Sequence, residues 1–231
     1  MPTPPPLQST VNRYAKSLAV PHGLQQLHER KKHRPAQPQL ALAPAIVLTS
    51  VSAFEGFLEE FNAVVGGIRG LSFAQIVKIA HTNTPSLGEF EKDLVKQLSA
   101  WSDPNWKTTW ALELFVPPQI GDSNWWKKET VDWSRSLEMA ESWLQVRHSL
   151  AHGLTRGYLD EVWPGPLKAG AHANQVLRPL KDGRHSLSLH SALNCARILR
   201  FGAQALATQA AVTLGEKAPN WRAVPTFPLD A

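Results

Sequence analysis

The chain has 231 residues, 43% apolar and 19% charged, enough to bury the core of one large domain or two small ones and too apolar for a disordered or collagen-like chain. Its formal net charge is +5 and it has one cysteine, Cys195, which excludes an intrachain disulfide and a cysteine-built zinc cluster. No apolar run reads as a membrane helix of roughly 20 residues, and the opening Met-Pro-Thr-Pro-Pro-Pro lacks the apolar core of an export signal, so the expectation is a cytoplasmic protein with no membrane partner.

The first 38 residues read as a basic segment. Residues 1–40 hold Arg13, Lys16, Arg30, Lys31, Lys32 and Arg34 against Glu29 alone, so the whole positive excess of the chain lies there. Arg30, Lys31, Lys32 and Arg34 are the candidate phosphate contacts for an RNA partner, against the plainer reading of a solvated face. Residues 8–34 look helical, with a break expected at Pro21-His22-Gly23 and an end at Pro35 and Pro38.

A helical domain is expected over 39–216, followed by a tail at 217–231. Its clearest helix spans 44–65, where Val47, Val51, Phe54, Leu58, Phe61 and Val65 recur at spacings of four and three, a stripe that faces a bundle core. Gly66-Gly67 reads as its stop. Two shorter helices follow at 72–81 and 87–100. Residues 101–130 read as irregular, because Asp103-Pro104, Pro117-Pro118 and Gly121-Asp122 are loop signals. A second long helix is expected over 131–153, with Trp133, Leu137, Ala140, Leu144 and Ala151 as its stripe and Gly153 as its C-terminal cap. Residues 176–180 and 184–189 alternate around Lys181-Asp182-Gly183, a hairpin signal. An alanine- and leucine-rich helix over 190–215 closes the domain at Gly215. The expected architecture is all-α: an up-and-down helical bundle with a small β-hairpin inserted before the last helix.

The chemistry-bearing stretch is Arg147-His148-Ser149-Leu150-Ala151-His152-Gly153, near the end of the second long helix. Three Arg–His pairs in the chain have four to six residues between them: Arg147/His152, Arg178/His185 and Arg184/His190. Only the first combines a long helix, a polar residue after the Arg and a Gly after the His. At 100° per residue, Arg147 and His152 stand about 140° apart around a helix, so one helix would struggle to close both on one phosphate. Two copies related by a two-fold axis could each supply half.

This segment resembles the signature of the HEPN superfamily, an Arg followed after four to six residues by a His. The stretch Ser50-Val51-Ser52-Ala53-Phe54-Glu55-Gly56-Phe57-Leu58 is similar to the long second helix of that family. The closest resemblance is to its RiboL-PSP-HEPN group, over roughly residues 40–215. The resemblance implies a metal-independent endoribonuclease, without cofactor, that works as a homodimer. In that chemistry the 2′-hydroxyl of RNA attacks the adjacent phosphate and leaves a 2′,3′-cyclic phosphate. It implies His152 as general acid or base, a task suited to a side chain whose ordinary pKa is about 6.5. Arg147 would hold the scissile phosphate with its planar fork of donors. His148 fills the polar position after the Arg. Glu55 stands where the family often has an acid and would orient His152 or hold Arg147. A toxin or defence effector with an antitoxin or other protein partner fits this group. The alternative is a non-catalytic HEPN-like dimeric scaffold that binds RNA or a partner protein, with Arg147–Glu55 a plain ion pair and His152 a helix-end cation.

His148 and His152 also have the H-x3-H spacing of a zinc pair, but Ser149 stands where H-E-x-x-H has its Glu. Six of the nine tryptophans, Trp101, Trp106, Trp110, Trp125, Trp126 and Trp133, cluster before and into the second long helix. Burial is the favoured reading, with stacking on RNA bases beside Lys127 and Lys128 the alternative.

Overall fold

The computed structural model describes residues 6–29, 41–80, 86–116, 127–157, 160–166 and 168–229. Arg30, Lys31, Lys32 and Arg34, together with Trp125 and Trp126, lie outside them. The fold is mostly helical, with two small antiparallel hairpins. The described helices are α1 (Pro6–Ser17), α2 (Ala19–Glu29), α3 (Leu42–Ile68), α4 (Phe73–Ala80), α5 (Leu87–Leu98), the one-turn α6 (Trp106–Thr109), α7 (Trp133–Ala151) and α8 (Leu189–Leu214).

Helix α3 organises the core. All six residues of its predicted stripe, from Val47 to Val65, are completely buried, and α3 packs against α1, α2, α4, α5, α7 and α8. By length and composition α3 is apolar enough to cross a membrane, against the expectation that no such segment exists. Its apolar residues instead form the centre of the protein's hydrophobic core. Gly66 and Gly67 do not stop it. The helix runs on to Ile68, and Gly70, at φ +71°, turns the chain while the Leu71 N–H reaches back to the Gly66 carbonyl. Gly66 is there for packing: a Cβ would come within 3.1 Å of the Ile76 side chain on α4.

The break between α1 and α2 falls at Leu18 rather than at Pro21-His22-Gly23. Pro21 occupies the first turn of α2, where its missing N–H forfeits no helical bond. Leu7, Val11, Tyr14 and Leu18 join the same core as Trp221, Val224 and Phe227 of the C-terminal segment. Tyr14 stacks on Phe57 of α3 with ring centres 4.6 Å apart.

Residues 101–130 are not wholly irregular. Strand β1 (Leu112–Val116) pairs antiparallel with β2 (Lys127–Val131), Leu112 opposite Val131. Asn194 of α8 clips this hairpin: its Oδ1 accepts from the Phe115 N–H at 3.0 Å and its Nδ2 donates to the Phe115 carbonyl at 2.7 Å. The hairpin expected before the last helix is present but short, β3 (Arg178–Pro179) against β4 (His185–Ser186). Helix α8 starts at Ser188, whose hydroxyl accepts from the Ser191 N–H, and ends at Gly215 at φ +70°. Trp101, Trp106, Trp110 and Trp133 all belong to the core or pack on it.

Candidate functional site

Helix α7 is set by its ends. Asp132 caps it by accepting from the Arg135 N–H at 2.8 Å. At the other end His152 is the capping residue and Gly153 takes φ +65°. The Gly153 N–H bonds the Leu150 carbonyl and the Leu154 N–H bonds the Ser149 carbonyl, the paired closure that a left-handed glycine permits. The predicted cap is therefore as found, but the buried face is rotated from the predicted stripe. Trp133, Ser136, Met139, Ala140, Trp143, Val146 and Ser149 are buried, whereas Leu137 and Leu144 are only half-buried and Ala151 is exposed. Arg147 thus sits at the margin of the core, not on its stripe.

That margin faces α3. Arg147 Nη2 lies 3.1 Å from Glu55 Oε2, in an ion pair with side-chain exposures of 34% and 21%. Partial burial pushes the Glu55 carboxyl above the ordinary carboxylate range, the Arg147 guanidinium pulls it back, and Glu59 adds to the rise. Of the two tasks open to Glu55, the structure gives it Arg147. His148 and His152, one turn apart, bring their rings to 4.3 Å between centres at 41°. His148 is half-buried and His152 exposed. Glu55 and Arg147 therefore meet across the α3–α7 junction, His148 follows Arg147 on α7, and His152 ends the helix against His148. Among the described residues no group of three or more His, Cys, Asp or Glu has the arrangement of a metal site.

The loop after His152 is held by a residue that the sequence did not single out. Glu161 accepts from the Arg156 N–H at 2.8 Å and the Gly157 N–H at 2.9 Å. Gly157 takes φ +73° and sits against Leu150 and Pro44, so close that a Cβ would lie 2.5 Å from a Leu150 methyl. A single Glu in a loop carries no motif, so only the fold reveals this clasp. Of the other two Arg–His pairs, Arg178 lies on β3, His185 on β4 and Arg184 just before β4, whereas His190 lies in the first turn of α8, outside the hairpin region.

Two cavities lie away from this segment. One of about 480 Å3 opens between α4 and α5, lined by Arg69, Lys78, Asp93, Lys96 and Gln97 among others. A smaller one of about 180 Å3 is walled by Trp163, His172 and His185. Neither has a contiguous signature, because each is assembled from separate elements. Comparison of the chain with models of known protein families, with curated proteins and with solved structures returned no match.

Proposed function

We propose that the chain is a metal-independent endoribonuclease of the HEPN type, acting as a homodimer and serving as a cytoplasmic toxin or defence effector. The observation that carries this reading is the ordered row at the end of α7: Arg147 held by Glu55 at 3.1 Å, and His148 against His152 at 4.3 Å. RNA cleavage without a metal requires a base for the 2′-hydroxyl, an acid for the leaving oxygen and a cation for the phosphate. This row supplies each type.

In the proposed reaction His152 takes the proton of the 2′-hydroxyl as the 2′-oxygen–phosphorus bond forms. The bond from phosphorus to the 5′-oxygen breaks, and the same His152, now protonated, gives that oxygen its proton. The products are a 2′,3′-cyclic phosphate and a 5′-hydroxyl. Arg147 holds the non-bridging oxygens with its planar donor fork, and Glu55 positions Arg147. His148 packs against the His152 ring and positions it. The need for a 2′-hydroxyl restricts the substrate to RNA.

The second reading is a non-catalytic dimeric scaffold that binds RNA or a partner protein. It is favoured by one feature, the commitment of Arg147 to a carboxylate of its own chain. Incubating the full chain with mixed cellular RNA in excess chelator separates the two. The nuclease reading expects cyclic-phosphate ends, detected by mass spectrometry, and their loss in a folded His152→Ala variant. Intact RNA, or full cleavage by that variant, rejects it.

A further inference from the structure

The cavity between α4 and α5 is lined by charges that the candidate nuclease site does not use. Arg69, from the end of α3, Lys78 of α4 and Lys96 of α5 bring three cations to one opening. Lys78 and Lys96 are exposed and form no ion pair among the described residues. The one acidic residue of the lining, Asp93, accepts from Asn62 Nδ2 at 3.4 Å. The Arg69 guanidinium donates to the Gln97 carbonyl, which fixes it beside the cavity.

Beneath the cations lies a directed amide chain. Because the Asp93 carboxylate can only accept, it orients Asn62 with its nitrogen outward and its oxygen toward Gln97. Gln97 Nε2 then donates to Asn62 Oδ1 at 3.1 Å. This leaves Gln97 Oε1, on a side chain 94% buried, with no donor among the described residues. A buried acceptor without a donor is costly. Leu71 and Ile79 add apolar wall. The cavity therefore offers cations at its mouth and apolar surface along its side, with the Gln97 oxygen sealed inside toward Gly66 of α3.

We propose that this cavity binds a single free nucleotide, a nucleoside monophosphate. Its phosphate would meet Lys78, Lys96 and Arg69, and its flat body the apolar wall of Leu71 and Ile79. About 480 Å3 far exceeds what inorganic phosphate needs and suits one nucleotide unit. The assignment is independent of the ribonuclease reading.

The test is calorimetric titration of the full chain with AMP, GMP, CMP and UMP, set against adenosine, inorganic phosphate and a short RNA lacking terminal phosphate. At least one monophosphate is expected to saturate the protein, with adenosine and inorganic phosphate weaker by about ten-fold or more. Lys78→Glu combined with Lys96→Glu, both exposed and so compatible with folding, is expected to weaken the monophosphate by roughly 100-fold. His152→Ala should bind it as the parent does. No saturable binding by any monophosphate overturns the proposal, as does a charge-reversed variant that binds normally. Equal affinity for inorganic phosphate, or tighter binding of the unphosphorylated RNA, removes the free nucleotide as the ligand.

Discussion

Arg147 and Glu55, 92 positions apart in the chain, meet at 3.1 Å between the end of α7 and the middle of α3. Both are half-buried, so each lessens the cost of desolvating the other. The pair joins the segment that carries both histidines to the central helix of the core, which gives a local motif a fixed place in the fold.

Removing the cation exposes this coupling through pH. The Glu55 carboxyl is raised by burial and lowered by Arg147. A carboxyl raised in the folded state is protonated more readily there than in the unfolded chain. Its effect is a loss of stability as pH rises from the ordinary carboxylate range to the folded value. Arg147→Ala enlarges the rise, so its penalty, about 1 kcal/mol after allowing for exposure, is expected to be greater near pH 7 than near pH 4. Glu55→Gln should flatten the difference. Urea unfolding at the two pH values checks this, and equal penalties would contradict it.

A composite site predicts complementation. If each half-site takes Arg147 from one copy and His152 from the other, mixing Arg147→Ala with His152→Ala subunits creates one intact and one doubly damaged site per heterodimer. Each variant alone should lose about 100-fold or more of its cleavage, and the mixture should regain part of it. Light scattering at micromolar concentration should give a dimer, and a monomer would sink the shared-site arrangement.

Gly153 at φ +65° closes α7 beside His152. Gly153→Ala is expected to cost about 1 kcal/mol, because a Cβ is strained there, and to lower kcat by displacing the His152 turn. Gly153→Asn should recover most of both, since Asn tolerates this conformation. Thermal melts with single-turnover cleavage read the two effects, and an alanine variant with unchanged kcat would separate the turn from the chemistry.

Gly202 lies where α8 touches α5. A Cβ there would come within 2.6 Å of a methyl of the completely buried Leu87. Alanine is the better helix former by about 1 kcal/mol, yet Gly202→Ala is expected to destabilise by about 1–3 kcal/mol through overpacking. Adding Leu87→Ala should cost less in the Gly202→Ala background than in the parent. A double-mutant cycle by denaturant unfolding tests it, and simple additivity would refute the steric account.

The basic N-terminal segment should act on binding rather than on turnover. Changing Arg30, Lys31, Lys32 and Arg34 to Ser is expected to weaken RNA binding at every sequence and to reduce the salt slope by up to about 0.7 log units per lost contact on single strands. Turnover at saturating RNA should stay the same. An unchanged slope would return these residues to the role of a solvated face.

Much of the helical frame was legible because it rests on local rules. The α3 stripe from Val47 to Val65, the end of α7 at Gly153 and the end of α8 at Gly215 are spacing and glycine signals, and the structure has all three. Gly66-Gly67 misled because a glycine pair also serves where another helix must come close, and Ile76 belongs to an element the local sequence does not see. The β1–β2 hairpin was hidden for a similar reason. Its strands are short, and α8 holds it through Asn194, 79 positions from Phe115. The order Arg147, His148, His152 could be read from the chain together with its helical spacing. That Glu55 would hold Arg147 rather than a histidine, that Glu161 would clasp the loop beyond, and that Lys78 and Lys96 would share one cavity were decided by tertiary packing. Side-chain periodicity determines which face of a helix is apolar, but which polar groups meet at its margin depends on how the helices dock, and that information is spread across the whole chain.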